Sequence, residues 1–402
     1  MKTRALACLV VLASSAHAAE TTTIPQGTFV LDVGYLHSTI NKRWDGNRNG
    51  RPLIDDLLRY EPGGGLQGTL SAQPNALYQA ALFQLGYGIT DWLTVALYVP
   101  LILATTVETN FKWAPGDFQS QLGRQYSEDD FWQWAGSLGQ PRPPAKWVGN
   151  RSTFADIIVG LRALVPQLGF MKAMGLKFAG TLQVAIPTGR PPDAEEVVAA
   201  GTTTFDLHSY GDVEVHLSWD RPFLVDAHDV ARLNVGGDFF FSWYRAKTLV
   251  ASTGRKNPLL STYSPYIGDT YVQDPGDWVG GTVSVEGSPF LGPTFATLVS
   301  GGKLERAHTF PPLITLMVSY TYVATGQSRW YSNSAIWDYD REKFWQPGDK
   351  NIFRFGLTVS LLRVGVPVQL YAQYRAQDLI PGRFTRPANV LSAGARVILK
   401  FW

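Results

Sequence analysis

The chain has 402 residues and a formal net charge of +2, which does not indicate a basic surface for nucleic acid. Charged residues make up 17%, below the quarter or so of a soluble domain, and aromatic residues reach 13%. The mean hydropathy is -0.05, and no run of about 18 apolar residues occurs, which excludes a bundle of transmembrane helices. These bounds favour a protein in which only alternate residues are apolar.

The N-terminus has the pattern of a secretory signal peptide. Lys2 and Arg4 precede the apolar run Ala5–Ala13, and Ala16-His17-Ala18 forms a small-residue cleavage site. We therefore expect residues 1–18 to be a signal peptide that is removed.

The mature chain is expected to be one domain, residues 19–402. The only cysteine, Cys8, lies in the predicted signal peptide, so disulfide and thiol chemistry are not expected. A lipoprotein anchor at Cys8 is the competing interpretation, but this cysteine lies too early in the chain. Without Lys2 and Arg4 the net charge of +2 falls by two, to zero.

Period-two alternation of apolar and polar residues predicts strands along the chain. We expect twelve, at Gly27–Ser38, Asn75–Thr90, Asp91–Leu101, Asp156–Val165, Leu176–Ile186, two within Asp212–Tyr244, and at Trp278–Glu286, Leu313–Thr325, Asn351–Arg363, Val366–Asp378 and Asn389–Trp402. Ser288–Pro312 fits either a long turn or an extra pair. No helix is expected, except for a turn within Ala194–Ala200.

The segment Asp212–Tyr244 shows the alternation most clearly. Asp212, Glu214 and His216 share one face, while the opposite face is purely apolar and includes Trp219. An apolar, aromatic-tipped face opposite a face with both charge signs is typical of a strand between lipid and a polar interior.

Connections are long after odd strands and mostly short after even ones. An even strand number, long extracellular loops and short periplasmic turns are the features of bacterial single-chain barrels. The predicted fold is an all-β, transmembrane, antiparallel up-and-down β-barrel of about twelve strands, located in the outer membrane of a Gram-negative bacterium.

Five phrases carry a resemblance to a known family: Asp45-Gly46-Asn47, Leu85–Leu101, Phe154–Leu164, Ile186-Pro187-Thr188-Gly189 and Ser209–Val215. In order along the chain, they resemble the outer-membrane family linked to the meta-pathway of phenol degradation (phenol-pathway transporter-like). The resemblance implies an outer-membrane barrel that admits aromatic or other hydrophobic small molecules. The fatty-acid and toluene channel family is a related alternative, but its long N-terminal plug has no counterpart before strand one.

The inward faces of the predicted strands carry the candidate lumen residues. A polar permeation path and a salt-bridged core are both compatible with this row, because a charge in a narrow barrel needs a partner. The row contains Asp156, Arg162, Lys177, Gln183, Asp212, Glu214, His216, Arg232, Asp238, Glu286, Arg354, Arg375 and Arg396.

The second long loop is rich in aromatic residues, which are costly on a surface unless they are covered or used. We expect them to fold into the barrel mouth as a loop gate, or to lie on outer-leaflet lipid. The predicted gate residues are Trp113, Phe131, Trp132 and Trp134.

The first long loop contains the opening of a calcium-binding loop, with oxygen ligands at Asp45, Asn47 and Asn49 and an acid at Asp56. Flanking helices are missing, and Arg51 is adjacent. A solvated turn is the favoured interpretation, and calcium is the only cofactor considered.

His216 and Ser218 lie two residues apart on one strand, a spacing that some outer-membrane phospholipases use. The Asn and Gly expected after the serine are replaced by Trp219 and Asp220. Hydrogen bonding in the lumen is therefore favoured over catalysis.

We expect a channel for passive uptake of small solutes, including hydrophobic or aromatic ones, and no enzyme activity. Its expected partners are outer-membrane lipid, lipopolysaccharide and the solute, with no nucleic acid. A structural or adhesive barrel is the alternative, and a lipid hydrolase the third.

Overall fold

Twelve strands with the predicted alternation form one sheet that closes on itself. Each strand pairs antiparallel with the next, and the last pairs back with the first from Thr28↔Lys400 to Thr39↔Asn389. The predicted twelve-stranded barrel is thereby confirmed. In chain order the strands are β1 (Thr28–Ile40), β2 (Leu66–Thr90), β3 (Leu93–Pro115), β4 (Ile157–Leu164), β5 (Lys177–Ile186), β6 (Asp212–Val225), β7 (Ala231–Tyr244), β8 (Trp278–Phe290), β9 (Ile314–Thr325), β10 (Gly348–Ser360), β11 (Val368–Ala376) and β12 (Asn389–Lys400).

The computed structural model describes residues 21–53, 56–60, 64–117, 123–137, 142–149, 153–189, 211–225, 231–250, 270–274, 276–290, 311–327, 329–332 and 347–400. Four sequence predictions lie outside the described residues, wholly or in large part. They concern the signal peptide (1–18), the helical turn at Ala194–Ala200, most of Ser288–Pro312, and the C-terminal Phe401 and Trp402.

The alternation separates two environments. On β6 the outward Val215 and Leu217 are 52% and 53% exposed, whereas the inward Glu214 and His216 are 3% and 8% exposed. A bilayer requires this arrangement, because lipid solvates neither charges nor unpaired backbone groups. The closed barrel and its apolar exterior indicate the outer membrane, as predicted.

The two ends of the barrel differ. At one end β2 joins β3 through Asp91 and Trp92, and β10 joins β11 through residues 361–367, which include the 3-10 turn Leu361–Val364. Most longer connections lie at the opposite end. The connection from β8 to β9, residues 291–313, is the long exception at the short-turn end.

The second and third strands are much longer than predicted. They contain 25 and 23 residues and stay paired from Gly88↔Thr94 to Gly68↔Pro115. The pairing of β1 with β2 ends at Ile40↔Ala76. About ten residues suffice for a strand to cross a membrane. The prediction of loops at Asn41–Pro74 and from Asn110 onward was therefore partly wrong, because this hairpin continues well beyond the barrel wall.

Short elements cover the projecting hairpin and the loops. In the described residues they include the helices α1 (Glu128–Ser137) and α2 (Gly169–Met174), so the expectation of no further helix was wrong. Neither helix is long and apolar enough to span a membrane. The short strands are Lys42–Trp44 with Gly50–Pro52, Leu57–Tyr60, Lys146–Gly149 and Thr153–Phe154 beside β2 and β3, and a small sheet of Lys247–Val250, Thr270–Asp274 and Arg329–Ser332.

The N-terminus of helix α1 is stabilised by a capping motif that can be recognised in the sequence. The Ser127 backbone N–H donates to Asp130 Oδ2 over 2.8 Å, and the Asp130 N–H donates back to Ser127 Oγ over 3.2 Å. This reciprocal pair has the arrangement of a capping box, with Asp in place of the usual Glu or Gln. Arg124 adds two further bonds to the Asp130 carboxylate, of 2.6 and 2.7 Å.

A charge placed on the exterior should test the membrane assignment. Leu217→Arg puts a cation on the outward face at the middle of β6, and we expect about 2–4 kcal/mol of destabilisation. Val225→Arg, on the same outward face but at the periplasmic end of β6, is the matched control and should cost about 0–1 kcal/mol. Equilibrium unfolding from lipid vesicles measures both. Equal costs at the two positions would contradict a membrane-spanning β6.

Candidate functional site

The interior of the barrel receives every residue of the predicted lumen row. Arg354, Arg375 and Arg396 are 4–8% exposed, and Asp156, just before β4, is 4% exposed. Lys177 and Arg232 are inward by strand parity but lie near the periplasmic end, where they are exposed. The structure thus brings these residues together in one lumen, and their role in permeation stays a prediction.

Acidic and basic side chains line different sectors of this lumen. In the ring of twelve strands β6 lies six positions from β12, directly across the barrel, and β7 likewise faces β1. An acidic wall on β6 and β7 therefore lies directly across from β12, at one side of a basic wall on β10 to β12. The acidic wall contains Asp212, Glu214, Asp220 and Asp238, and the basic wall contains Arg354, Arg375 and Arg396.

His216 is held between two carboxylates of the acidic wall. Its Nδ1 lies 2.7 Å from Asp238 Oδ2, and its Nε2 lies 2.5 Å from Glu214 Oε1. Ser218 Oγ donates to Asp238 over 2.7 Å, and Ser242 Oγ donates to Glu214. Both ring nitrogens donate only when the imidazole is protonated. The arrangement is therefore a neutralising bridge across β6 and β7.

This geometry bears on the hydrolase alternative. A serine nucleophile needs a base within hydrogen-bond reach. Here Ser218 donates to Asp238, and both nitrogens of His216 are engaged by carboxylates. The described hydrogen bonds include none between His216 and Ser218, the contact that a hydrolase would require.

A second ion pair links the first and last strands. The Asp32 carboxylate accepts bonds from Arg396 Nε and Nη2 over 3.1 and 2.9 Å, and from the Tyr371 hydroxyl over 2.7 Å. Tyr371 reaches Asp32 across Gly34 and Gly394, where an added Cβ would lie 2.5 Å from its hydroxyl oxygen. Glycine is needed at both positions, because any side chain would displace this tyrosine.

Part of the interior is apolar, which the sequence analysis missed. Between β1 and β4 the inward Leu36, Tyr78, Tyr98 and Ile102 are at most 6% exposed and pack in one cluster with Val390. Leu36 follows the outward Tyr35, so both faces of β1 become apolar there. That loss of alternation is the signal that indicated an apolar interior.

The N-terminal segment Thr21–Gln26 enters the lumen, although no long N-terminal plug was expected before the first strand. The Thr21 N–H and hydroxyl both donate to Asp220 Oδ2, over 2.7 and 2.5 Å, and the Ile24 N–H donates to Thr94 Oγ1 over 2.7 Å. Six extended residues span about 20 Å, which is enough to cross from β1 to β6. Even so short a lead therefore partly closes the periplasmic end.

Two cavities lie against this segment, and Thr22 and Thr23 line both. The larger cavity, of about 1150 Å³, opens at the periplasmic turns and includes Trp92 and Asp220 in its wall. The smaller cavity, of about 260 Å³, lies within the barrel and includes Arg162 in its wall. The segment separates the two spaces.

The predicted gate residues pack with one another on the projecting hairpin. Trp113 and Phe131 have ring centroids 5.7 Å apart, and Phe131 is 5.2 Å from Trp132 and 5.6 Å from Trp134. The Arg59 guanidinium stacks 4.1 Å above the Trp134 ring. Helix α1 thus covers the hairpin through this aromatic cluster, and a gating role stays a prediction.

The segment considered as a calcium loop, for which a solvated turn was favoured, forms a tight turn. Asp45 Oδ1 accepts the N–H groups of Asn47 and Asn49 over 2.9 and 2.8 Å, and Oδ2 accepts from Arg51 Nε over 3.0 Å. These bonds, with that from Asn49 the strongest contributor, hold the pKa of Asp45 below its usual value. Calcium would have to displace Arg51, and Asp56 makes no described bond to this turn. No cluster of metal-ligating side chains occurs among the described residues.

The closed ring, the lipid-facing exterior and the polar lumen define the class as an outer-membrane β-barrel. A solved structure with a similar fold is the COG4313 outer membrane channel from Pseudomonas putida F1. It matches at a TM-score of 0.53 and 10% identity over 94% of this chain and 98% of that one. At this identity the similarity concerns the fold.

Two other solved barrels superpose less closely. The toluene transporter TodX of Pseudomonas putida matches at a TM-score of 0.33 and 10% identity, over 100% of this chain and 95% of that one. A FadL homologue of Pseudomonas aeruginosa gives 0.31 and 10%, over 96% and 93%. No family model and no curated protein matches the chain, so membership of the phenol-pathway family stays a prediction.

Release of the N-terminal segment gives a first test of the site. In Thr22→Cys we expect slow reaction with a bulky maleimide, because the segment is pinned inside the barrel. Asp220→Ala in that background removes both bonds from Thr21 and should speed labelling at least about tenfold. Lys177 lines the same cavity and makes no described contact with the segment. Lys177→Ala is therefore the control. Equal rates in all three proteins would show that the segment is not held there.

The start of helix α1 gives a second test. Bonds from Arg124, then Ser127, hold the pKa of the Asp130 carboxyl well below its usual value. The stability contributed by such a group is present above its unfolded pKa of about 4 and is lost only as pH falls through the lowered folded value. Amide protection in α1 should therefore persist at about pH 3 and drop in Asp130→Asn at every pH. Asp129→Asn is the control, and loss of protection near pH 4 in the parent protein would contradict the capping role.

Proposed function

We propose that the chain is an outer-membrane channel for passive entry of small solutes, including hydrophobic and aromatic ones. The observation that carries this proposal is the interior of the closed barrel. It combines an apolar cluster between β1 and β4 with cavities of about 260 and 1150 Å³ toward the periplasmic end. A solute leaving the apolar cluster enters the smaller cavity, since Tyr98 and Ile158 belong to both.

The fold similarity to the COG4313 channel and the sequence resemblance to the phenol-pathway family are compatible with this proposal. The acidic and basic walls fit a polar path with little preference for either ion sign, because neither sign dominates the lumen. The aromatic cluster over the projecting hairpin lies at the long-loop end, where we place solute capture.

A blocked lumen should test the channel directly. Gly160 faces the smaller cavity, and an added Cβ would lie 3.5 Å from its nearest atom, Gln183 Cγ. Gly160→Trp therefore fits the wall and fills the cavity. Gly287→Trp, where nothing lies within 4 Å of an added Cβ, is the outward-facing control.

The measurements are planar-bilayer conductance and uptake of a phenolic, an aliphatic and a sugar solute into proteoliposomes. We expect conductance and uptake in the parent and in Gly287→Trp, and a loss of about tenfold or more in Gly160→Trp. Heat-modifiable gel mobility verifies that each variant is folded. Folded parent protein without conductance or uptake would overturn the proposal and favour the structural or adhesive alternative, for which the projecting hairpin is the candidate binding surface.

A further inference from the structure

The smaller cavity contains a cation with an unusual environment. Arg162, on β4, lies in its wall and is partly buried. Its Nε donates a hydrogen bond to Thr181 Oγ1 over 2.9 Å. Among the described residues, this is the hydrogen bond that the guanidinium makes. No described carboxylate lies within ion-pair distance of its guanidinium.

The other charges of this cavity neutralise each other. Asp32 and Arg396 lie 2.9 Å apart, and Tyr371 occupies the second oxygen of Asp32. With Arg162 added, the ionised groups that the structure describes in the cavity wall sum to one positive charge. A partly buried charge is costly unless it is solvated or paired, so the cavity favours an anionic occupant.

The guanidinium is oriented for such an occupant. The Thr181 hydroxyl oxygen accepts the hydrogen bond from Nε–H, and the two Nη groups can therefore donate to another acceptor. Arginine presents these donors as a rigid fork that matches the two oxygens of a carboxylate. Gln183, the next inward residue on β5, adds an amide to the same wall.

The rest of the wall combines apolar side chains with neutral polar ones such as Thr28, Gln84 and Thr94, and it limits the size of the occupant. Ile24, Val30, Ala96, Ile158 and Ile398 line the cavity together with Tyr98. A cavity of about 260 Å³ is small, and it suits a solute with one ring rather than a larger one.

We propose that Arg162 binds the carboxylate of a small single-ring aromatic acid, whose ring lies against the apolar side chains of this cavity. This inference rests on the proposed channel function and names a solute class for it. Thr181 is a positioning residue, because it orients the guanidinium without contacting the carboxylate.

The test uses the full-length protein in detergent micelles and three probes that differ in charge: benzoate, benzamide and benzylammonium. Ligand-observed NMR titration gives each apparent Kd, and bilayer conductance is measured in parallel. We expect the parent protein to bind benzoate at least about tenfold more tightly than benzamide, as for hydrogen bonds to a charged group. Benzylammonium should bind most weakly.

Three variants separate the contributions. Arg162→Gln should lower benzoate affinity at least about tenfold and leave benzamide unchanged. Arg162→Lys keeps the positive charge but lacks the forked guanidinium donors. Its benzoate affinity should lie between those of the parent and of Arg162→Gln. Thr181→Val should weaken benzoate binding by a few-fold. Arg221→Gln, at an exposed arginine of β6 outside this cavity and outside the lumen row, is the control and should bind like the parent.

The failure of this inference is distinguishable from failure of the channel. Equal binding of benzoate and benzamide by the parent, or unchanged benzoate binding in Arg162→Gln, would overturn the carboxylate site while conductance persists. If Arg162→Gln does not fold, Arg162→Lys and Thr181→Val decide the question. Absence of conductance in the folded parent would instead overturn the channel function.

Discussion

The structure depends on one constraint, which is that a strand in lipid has no water to satisfy its backbone. An open sheet edge would leave a row of unpaired N–H and C=O groups, each costing several kcal/mol in hydrocarbon. The pairing of β1 with β12 removes that edge. Once the ring is closed, alternation has a fixed meaning, because one row of side chains meets lipid and the other is enclosed.

The enclosed row then has to balance its own charges. His216 lies between Glu214 and Asp238, and Asp32 pairs with Arg396. Such pairs contribute less to stability than their Coulomb energy, since desolvation opposes it, but removal of one partner leaves an uncompensated charge. The same reasoning singles out Arg162, which has a hydroxyl partner and no described carboxylate. A structural role and a solute-binding role are thus distinguished by whether the protein supplies the counterion.

The periplasmic end and the extracellular end close by different means. At the periplasmic end, a six-residue segment crosses the lumen and is anchored on Asp220, at the opposite wall. At the other end, a hairpin projects from the barrel, and an aromatic cluster under helix α1 stabilises it. The channel proposal therefore places the narrow passage in the barrel and the capture surface above it.

Much of the fold was predictable from residue pattern. Alternation identified all twelve strands, and parity placed residues as distant as Lys177 and Arg396 or Glu214 and Asp238 on interior faces. The start of α1 was readable in Ser127 and Asp130, although no helix was predicted there. The continuation of β2 and β3 was not predictable, because a strand covered by its own loop shows no clean lipid-facing row.

By itself, the sequence determined the strand number, the two faces and the charged character of the interior, because a side-chain period of two is a local property of the chain. Tertiary structure alone decided which interior charges meet. The bridge at His216, the pair of Asp32 with Arg396 and the position of Arg162 away from every described carboxylate all follow from ring closure and strand register. Those features join residues far apart in the chain, and no local pattern records the distance between them.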